Sequence, residues 1–161
     1  LKRDRAFVLQ AIGVHSSTFM FAADELKGDR TFVLEAVEIS GLALEFAADE
    51  HRADRAVVLQ AIKYADYRDA FQFAADHLKR DRAFVLQAIG VHSSTFMFAA
   101  DELKGDRTFV LEAVEISGLA LEFAADEHRA DRAVVLQAIK YADYRDAFQF
   151  AADHLKRDRA F

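Results

Sequence analysis

Hydrophobic and polar positions follow one order along the whole chain. An Asp-Arg pair opens the mostly apolar stretch D-R-x-(F/V)-V-L-(Q/E)-A-(I/V), and after a polar turn comes F-A-A-D-(E/H). The first stretch is apolar on more than one side, as expected for a helix packed between neighbours. In the second, Phe19, Ala22, Ala23 and Leu26 have the i, i+3, i+4, i+7 spacing of an α-helix. The pattern therefore predicts two short α-helices per repeat.

Capping residues mark the ends of these predicted helices. Asp29 precedes the helix that starts at Arg30, where its carboxylate can accept from free backbone amides. Gly28 is predicted to stop the preceding helix. The Asp-Arg frame begins at Asp4, Asp29, Asp54, Asp81, Asp106, Asp131 and Asp158. The repeats are therefore 25, 25 and 27 residues long, and then the order starts again.

A longer period encloses the short one, because residues 1–84 and 78–161 are identical. The chain is a 77-residue block written twice and followed by seven residues of a third copy. Short fixed periods of this kind are typical of solenoids. We interpret residues 1–161 as one continuous array, with blocks 1–77 and 78–154 and the start of a third block at 155–161. We expect it to be an excerpt of a longer array.

Single helices of this length are too short to be stable in water, since ten residues span only about 15 Å. They must stack. We therefore predict an all-α fold, an α-solenoid of stacked αα-hairpin repeats with a right-handed stack and one continuous core. Phe21, Phe46 and Phe73 share one repeat position and are expected to fill the space between repeats.

Residues 26–50, L-K-G-D-R-T-F-V-L-E-A-V-E-I-S-G-L-A-L-E-F-A-A-D-E, resemble the tandem repeat of a domain-of-unknown-function family from protists, algae and bacteria. The family pattern is roughly L-K-x-D-R-x-(F/V)-V-L-x-A-V-x-x-x-G-x-A-L. The first repeat departs from it at Ser16 and Ser17, and the third through a longer turn at 63–69. The resemblance implies a helical repeat, and it implies no catalytic residues.

Composition narrows the classes of function. Apolar residues make up 53% of the chain and charged residues 30%, enough for a core and a hydrated surface. Cys and Asn are absent, which excludes disulfides, thiolate metal sites and N-glycosylation sequons. No apolar run reaches the roughly 20 residues that a membrane span needs.

Candidate chemical groups favour structural roles. Residues 15–18, His-Ser-Ser-Thr, are interpreted as a helix-capping turn, because adjacent residues alone cannot give nucleophile and base geometry. Glu50-His51 and Asp76-His77 lack the H-x-x-x-H spacing of a metal site and are interpreted as solvated helix ends. We therefore expect no catalytic residue, no metal site, no cofactor and no enzymatic activity.

The basic loops raise nucleic-acid binding as an alternative. Each block carries 9 Lys and Arg against 13 Asp and Glu, a net charge of −4, so a long array repels phosphate. We instead predict ion pairs between repeats, with Arg30 bound to Asp24 or Asp49 and the pattern repeated along the stack. The predicted ladder comprises Arg5, Asp24, Arg30, Asp49, Arg55 and Asp76.

All four tyrosines lie in one turn and its copy, mixed with charges. Tyr and Arg are enriched at the energetic centres of interfaces, so the turn is a candidate contact site. Packing of the tyrosines beneath a longer loop is the alternative. The candidate residues are Tyr64, Asp66, Tyr67, Arg68 and Asp69, and Tyr141, Asp143, Tyr144, Arg145 and Asp146.

Two functions remain open. Identical blocks make identical surfaces, which suits a structural protein that associates with itself into a filament, a tube or another extended assembly. A scaffold that binds another protein or a peptide is the alternative. We predict self-association, with no nucleic-acid partner.

Overall fold

The computed structural model describes residues 1–65, 70–142 and 144–157, with the side chains of 144–146, 154 and 157 left aside. Within these ranges all regular structure is helical, and no strand occurs. The predicted all-α class with helical units packed in tandem is confirmed. The chain divides into two compact units, Leu1–Leu78 and Lys79–Phe161, which nearly coincide with the two sequence blocks. Continuity and handedness of the whole array stay predictions.

The described residues form two kinds of helix, α-helices and 3-10 helices. The α-helices are α1 (Arg5–Val14), α2 (Asp24–Lys27), α3 (Arg30–Ile39), α4 (Asp49–Arg52), α5 (Arg55–Lys63), α6 (Asp76–Arg80), α7 (Arg82–Val91), α8 (Asp101–Lys104), α9 (Arg107–Ile116), α10 (Asp126–Arg129), α11 (Arg132–Lys140), α12 (Tyr144–Gln149) and α13 (Asp153–Arg157). The 3-10 helices are Ser16–Phe21, Gly41–Phe46, Ala70–Phe73, Ser93–Phe98 and Gly118–Phe123.

Long helices begin where the sequence predicts, directly after an aspartate. The Asp29 carboxylate accepts from the Phe32 backbone N–H at 3.1 Å, and Asp54 accepts from Ala56 N–H at 2.9 Å. These bonds satisfy amides that have no partner inside the helix.

The predicted second α-helix is wrong in its geometry in five repeats, where a 3-10 helix replaces it, whereas the sixth repeat has the α-helix α12 at this position. Residues 16–21 form a 3-10 helix, Ala22 and Ala23 are extended, and α2 makes a single turn. The Ala23 N–H donates instead to the carbonyl of Lys2 at 2.9 Å, which ties the start of the repeat to its end. Phe19, Ala22 and Leu26 are nevertheless buried, as the hydrophobic spacing predicts.

The phenylalanine position predicted to fill the space between repeats does so only in part. Phe21 is 61% exposed, and its counterparts in the next two repeats are half-buried. Phe19 and Phe32, by contrast, are fully buried, with their ring centroids 5.8 Å apart. The guanidinium of Arg5 lies over the Phe32 ring at 4.9 Å. Because Phe19 belongs to the first repeat and Phe32 to the second, this aromatic pair packs one repeat against the next.

Gly41 permits a close contact between the backbones of the second and third repeats. Its N–H donates to the Tyr64 carbonyl at 3.1 Å. A β-carbon at this position would lie 2.0 Å from the Ala61 carbonyl oxygen, so no other residue type fits without displacing a helix. Gly28 differs: it ends α2 with right-handed dihedral angles, φ −91° and ψ −8°, and Ala53 ends α4 in the same way.

Candidate functional site

Arginine and acidic side chains connect consecutive repeats at the N-terminal ends of the long helices. In the first unit, Arg5 Nη1 lies 2.6 Å from Asp29 Oδ2, and its Nη2 lies 3.2 Å from Glu35 Oε1. One repeat further, Arg30 Nε lies 2.7 Å from Asp54 Oδ2. We call these contacts the arginine ladder.

The second unit has the same ladder. Arg82 contacts Asp106 at 2.8 Å and Glu112 at 2.9 Å, and Arg107 contacts Asp131 at 2.7 Å. The two blocks therefore use equivalent atoms to hold neighbouring repeats in register.

The carboxylates of the ladder differ from the predicted ones. Asp24 lies 3.9 Å from Lys27, and Asp49 pairs with Arg52, in each case one turn away on the same short helix. The arginines bind instead the aspartate that caps the next long helix, because that residue lies beside them in the stack. Among the remaining predicted members, Arg55 begins α5 and Asp76 begins α6.

The ladder shifts the pKa values of its members. A hydrogen bond from Arg30 is the main reason why the pKa of Asp54 is lowered, and the same bond raises the pKa of Arg30. The pKa of Asp106 falls to about 2, first because the Thr108 hydroxyl donates to it and then because the Phe109 N–H does. These carboxylates remain ionised well into the acid range.

An exposed line of apolar side chains marks the opposite, C-terminal ends of the long helices. A β-carbon on Gly13 would lie 3.6 Å from Ile39 Cγ2, and Gln60 Nε2 donates to Glu38 Oε1 at 2.7 Å, so these last turns lie side by side. The exposed fractions are 70, 45 and 40% in the first unit and 43, 45 and 52% in the second. The apolar stripe consists of Val14, Ile39 and Tyr64, and of Val91, Ile116 and Tyr141.

The predicted tyrosine turn overlaps this stripe in part. Tyr64 and Tyr141 belong to it, and Lys63 Nζ lies 5.1 Å from the centre of the Tyr64 ring. Helix α12 begins at Tyr144 and contains Arg145 and Asp146, whose side chains are not described. Asp66, Tyr67, Arg68, Asp69 and Asp143 lie outside the described residues.

The chain was compared with known protein families. A family model described as a domain of unknown function, DUF4116, matches residues 29–68, 54–104 and 106–156. Together these matches cover more than half of the chain. The chain belongs to this family. The predicted resemblance is thereby confirmed. No curated protein and no solved structure matches the chain.

Among the described side chains, His51 and its copy His128 are buried, contrary to the prediction of a solvated helix end. His51 is 5% exposed and takes the repeat position that Leu26 fills one repeat earlier, whereas His77 is exposed. In the second block the Nε2 of His128 lies 2.9 Å from the Gly105 carbonyl oxygen, in hydrogen-bond range. The described side chains contain no group of three or more potential metal ligands.

A groove in the second compact unit, Lys79–Phe161, has charged, polar and apolar residues in its lining. It has a volume of about 480 Å³. The charged and polar residues of its lining are Asp126, Arg129, Gln149, Asp153 and Lys156, and the apolar ones are Ala130, Phe150, Ala151 and Ala152. The groove is open and both cations have acidic neighbours within their own helix, at 3.4 Å for Lys156 and Asp153. Among the described helices, none combines the length and the hydrophobicity of a transmembrane span.

The ladder partners could have been identified from the DUF4116 sequence. Every repeat carries Asp directly before Arg, so an arginine that reaches the next repeat meets that repeat's own Asp-Arg pair. The spacing from Arg5 to Asp29 and from Arg30 to Asp54 is 24 residues, one less than the repeat. The apolar stripe could also have been identified from the sequence. A large apolar residue recurs every 25 residues before a polar or small one, at Val14, Ile39 and Tyr64.

Proposed function

We propose that this chain is a noncatalytic structural repeat protein that associates with copies of itself into an extended assembly. The observation that supports the proposal is the exact repetition of a 77-residue block whose ladder contacts are equivalent in both copies. Equivalent blocks present equivalent surfaces. A surface that is complementary to itself then recurs along the array, which permits an assembly to grow.

Internal contacts of the polar groups support a structural rather than a catalytic role. The Thr18 hydroxyl donates to the His15 carbonyl at 2.7 Å and so belongs to the turn after α1. The aspartates of the ladder cap helices and bind arginines. Each of these groups stabilises local structure, and any reaction site built from them would occur once per block.

Electron microscopy tests the proposal. Chains of several whole 77-residue blocks would be imaged by negative stain at micromolar concentration, with light scattering on the same sample. Filaments or tubes of constant diameter are expected. Discrete rods with the mass of one chain would overturn the proposal.

The groove beside Arg129 favours a second candidate function, a scaffold that binds a peptide or another protein. Its volume of about 480 Å³ falls in the range of small ligand sites, and its lining carries both signs of charge. Binding of a charged peptide library to single-chain rods, lost on Arg129→Gln, would favour this scaffold over self-association.

A further inference from the structure

The residues that directly precede the stripe differ in charge between repeats. Gly13 precedes Val14, Glu38 precedes Ile39 and Lys63 precedes Tyr64. Both Glu38 and Lys63 are exposed. The second unit repeats this arrangement with Glu115 and Lys140. In each unit the apolar stripe is therefore accompanied by one negatively charged and one positively charged side chain, one repeat apart.

We propose that the apolar stripe binds the same stripe of a second copy of this chain in antiparallel orientation, with Glu38 of each copy facing Lys63 of the other. This inference rests on the proposed self-association and specifies its lateral contact. The twofold axis of the pair passes between the second and third repeats. Such a contact is isologous, since both copies contribute the same residues.

Charge selects this orientation. In a parallel pair, Glu38 would face Glu38 and Lys63 would face Lys63, and like charges across an interface are strongly unfavourable. Antiparallel pairing replaces both repulsions by attractions. It also places Ile39 of one copy against Tyr64 of the other.

Geometry favours a second copy over an unrelated partner. Neighbouring packed helices are spaced by about 8–10 Å, and a second copy has the same spacing on its own stripe. The charged and apolar positions therefore match without adjustment of either backbone. The partly exposed apolar side chains Ile39 and Tyr64 lose water contact on pairing, which supplies the favourable free energy.

The contact also explains how pairs become extended assemblies. The stripe and its flanking charges recur once per block, so the two blocks of one chain can bind blocks of two different copies. A chain paired through one block keeps the stripe of its other block free, and that stripe can recruit a further copy. Lateral pairing of this kind yields staggered assemblies.

Two charge-reversed variants of the full chain test the inference by sedimentation velocity. The first carries Glu38→Lys and Glu115→Lys, and the second carries Lys63→Glu and Lys140→Glu. Each variant alone places like charges across the contact, so we expect its self-association to be at least about tenfold weaker than that of the wild type. An equimolar mixture restores opposite charges at every contact and should associate as the wild type does.

A matched control separates the proposed contact from general attraction between oppositely charged chains. Glu45→Lys with Glu122→Lys makes the same change in net charge at exposed carboxylates of the 3-10 helices. A fluorescently labelled Lys63→Glu/Lys140→Glu chain should bind the Glu38→Lys/Glu115→Lys chain more tightly than this control, because the control offers it one attractive and one repulsive pair at each contact. Circular dichroism verifies that all variants keep the wild-type helix content.

The outcomes separate the inference from the proposed function. If the wild type associates and both reversed variants associate equally well alone, or if the control captures the labelled chain as tightly as the Glu38→Lys/Glu115→Lys chain does, the antiparallel contact is overturned while self-association stands. If the wild type stays a single chain at all concentrations, both the proposed function and the inference fail.

Discussion

One aspartate in each repeat joins local structure to the stack at the scale of single residues. Asp54 Oδ1 accepts from the N–H groups of Ala56 and Val57, and its Oδ2 accepts from Arg30 Nε. One oxygen thus starts a helix and the other holds the preceding repeat. Formation of each long helix and alignment of its neighbour are coupled through this side chain.

The lowered pKa of Asp106 makes stability depend on pH. The group has a pKa of about 2 in the folded chain, below its ordinary 3.8, so the unfolded state binds the proton more readily. Its contribution is therefore fully present above the ordinary pKa and is lost as the pH falls through about 2. Thermal unfolding between about pH 5 and pH 2 should show a smaller acid-induced loss of stability for Asp106→Asn than for the wild type.

The Thr108 hydroxyl provides the control for this prediction. It is the largest cause of the lowered pKa, since it donates to Asp106 Oδ1 at 2.7 Å. Thr108→Val should raise the pKa of Asp106 in a carboxyl-carbon NMR titration. An unchanged pKa in this variant would contradict the assigned cause.

Gly41 and Gly28 make a matched pair for a second prediction. Gly41→Ala forces a β-carbon against the Ala61 carbonyl, so we expect a loss of about 2 kcal/mol in the free energy of unfolding. Gly28→Ala meets only an ordinary 3.5 Å contact and should be neutral or stabilising by about 0.5 kcal/mol. Denaturant unfolding measures both, and equal effects would argue against the close backbone contact.

At the scale of elements, periodicity predicted which residues are buried better than it predicted which helix they form. Phe19, Ala22 and Leu26 are buried as expected, but spacings of three fit both an α-helix and a 3-10 helix. The helix type depends on a contact distant in sequence, since the Ala23 N–H donates to the carbonyl of Lys2, some twenty residues away. Such a bond cannot be read from local pattern.

The residues of the arginine ladder, like the helix types, could be predicted from the sequence only in part. The sequence pattern identified Arg5 and Arg30 as residues that contact a neighbouring repeat, because both occupy the same position in their repeats. Their acidic partners were missed, because they depend on how neighbouring repeats are displaced, although the recurring Asp-Arg pair was a signal for them. Burial of His51 was missed because histidine is intermediate between buried and exposed residue types, although the leucines at the same repeat position were a signal.

The two roles of Asp54 can be separated at this scale. Asp54→Asn keeps an oxygen that can cap α5 and loses the ion pair with Arg30, whereas Asp54→Ala loses both. We expect the alanine variant to be less stable than the asparagine variant by about 1 kcal/mol. Added salt should reduce the difference between the wild type and Asp54→Asn, because it screens the exposed pair. Equal stabilities of the two variants in denaturant titrations would mean that the cap contributes nothing.

For the whole molecule, stability is expected to come from contacts between repeats. A repeat alone has one α-helix of about ten residues, one short 3-10 or α-helix and a single further α-helical turn, too little to remain folded in water. Burial of its apolar side chains depends on the neighbouring repeats, as the contact between Phe19 and Phe32 shows. Stability in such arrays therefore grows with the number of interfaces.

A peptide of residues 26–50 tests this dependence. We predict a far-ultraviolet circular dichroism spectrum of an unfolded chain for the peptide, and a cooperative helical transition for the 161-residue chain. Independent folding of the peptide would show that a repeat does not need its neighbours.

Self-association is the central claim, and the mass of the intact 161-residue chain in solution tests it most directly. Multi-angle light scattering would be recorded from nanomolar to high micromolar concentration. We predict a mass that rises with concentration beyond that of one chain. A mass that stays at one chain over the whole range would contradict the account.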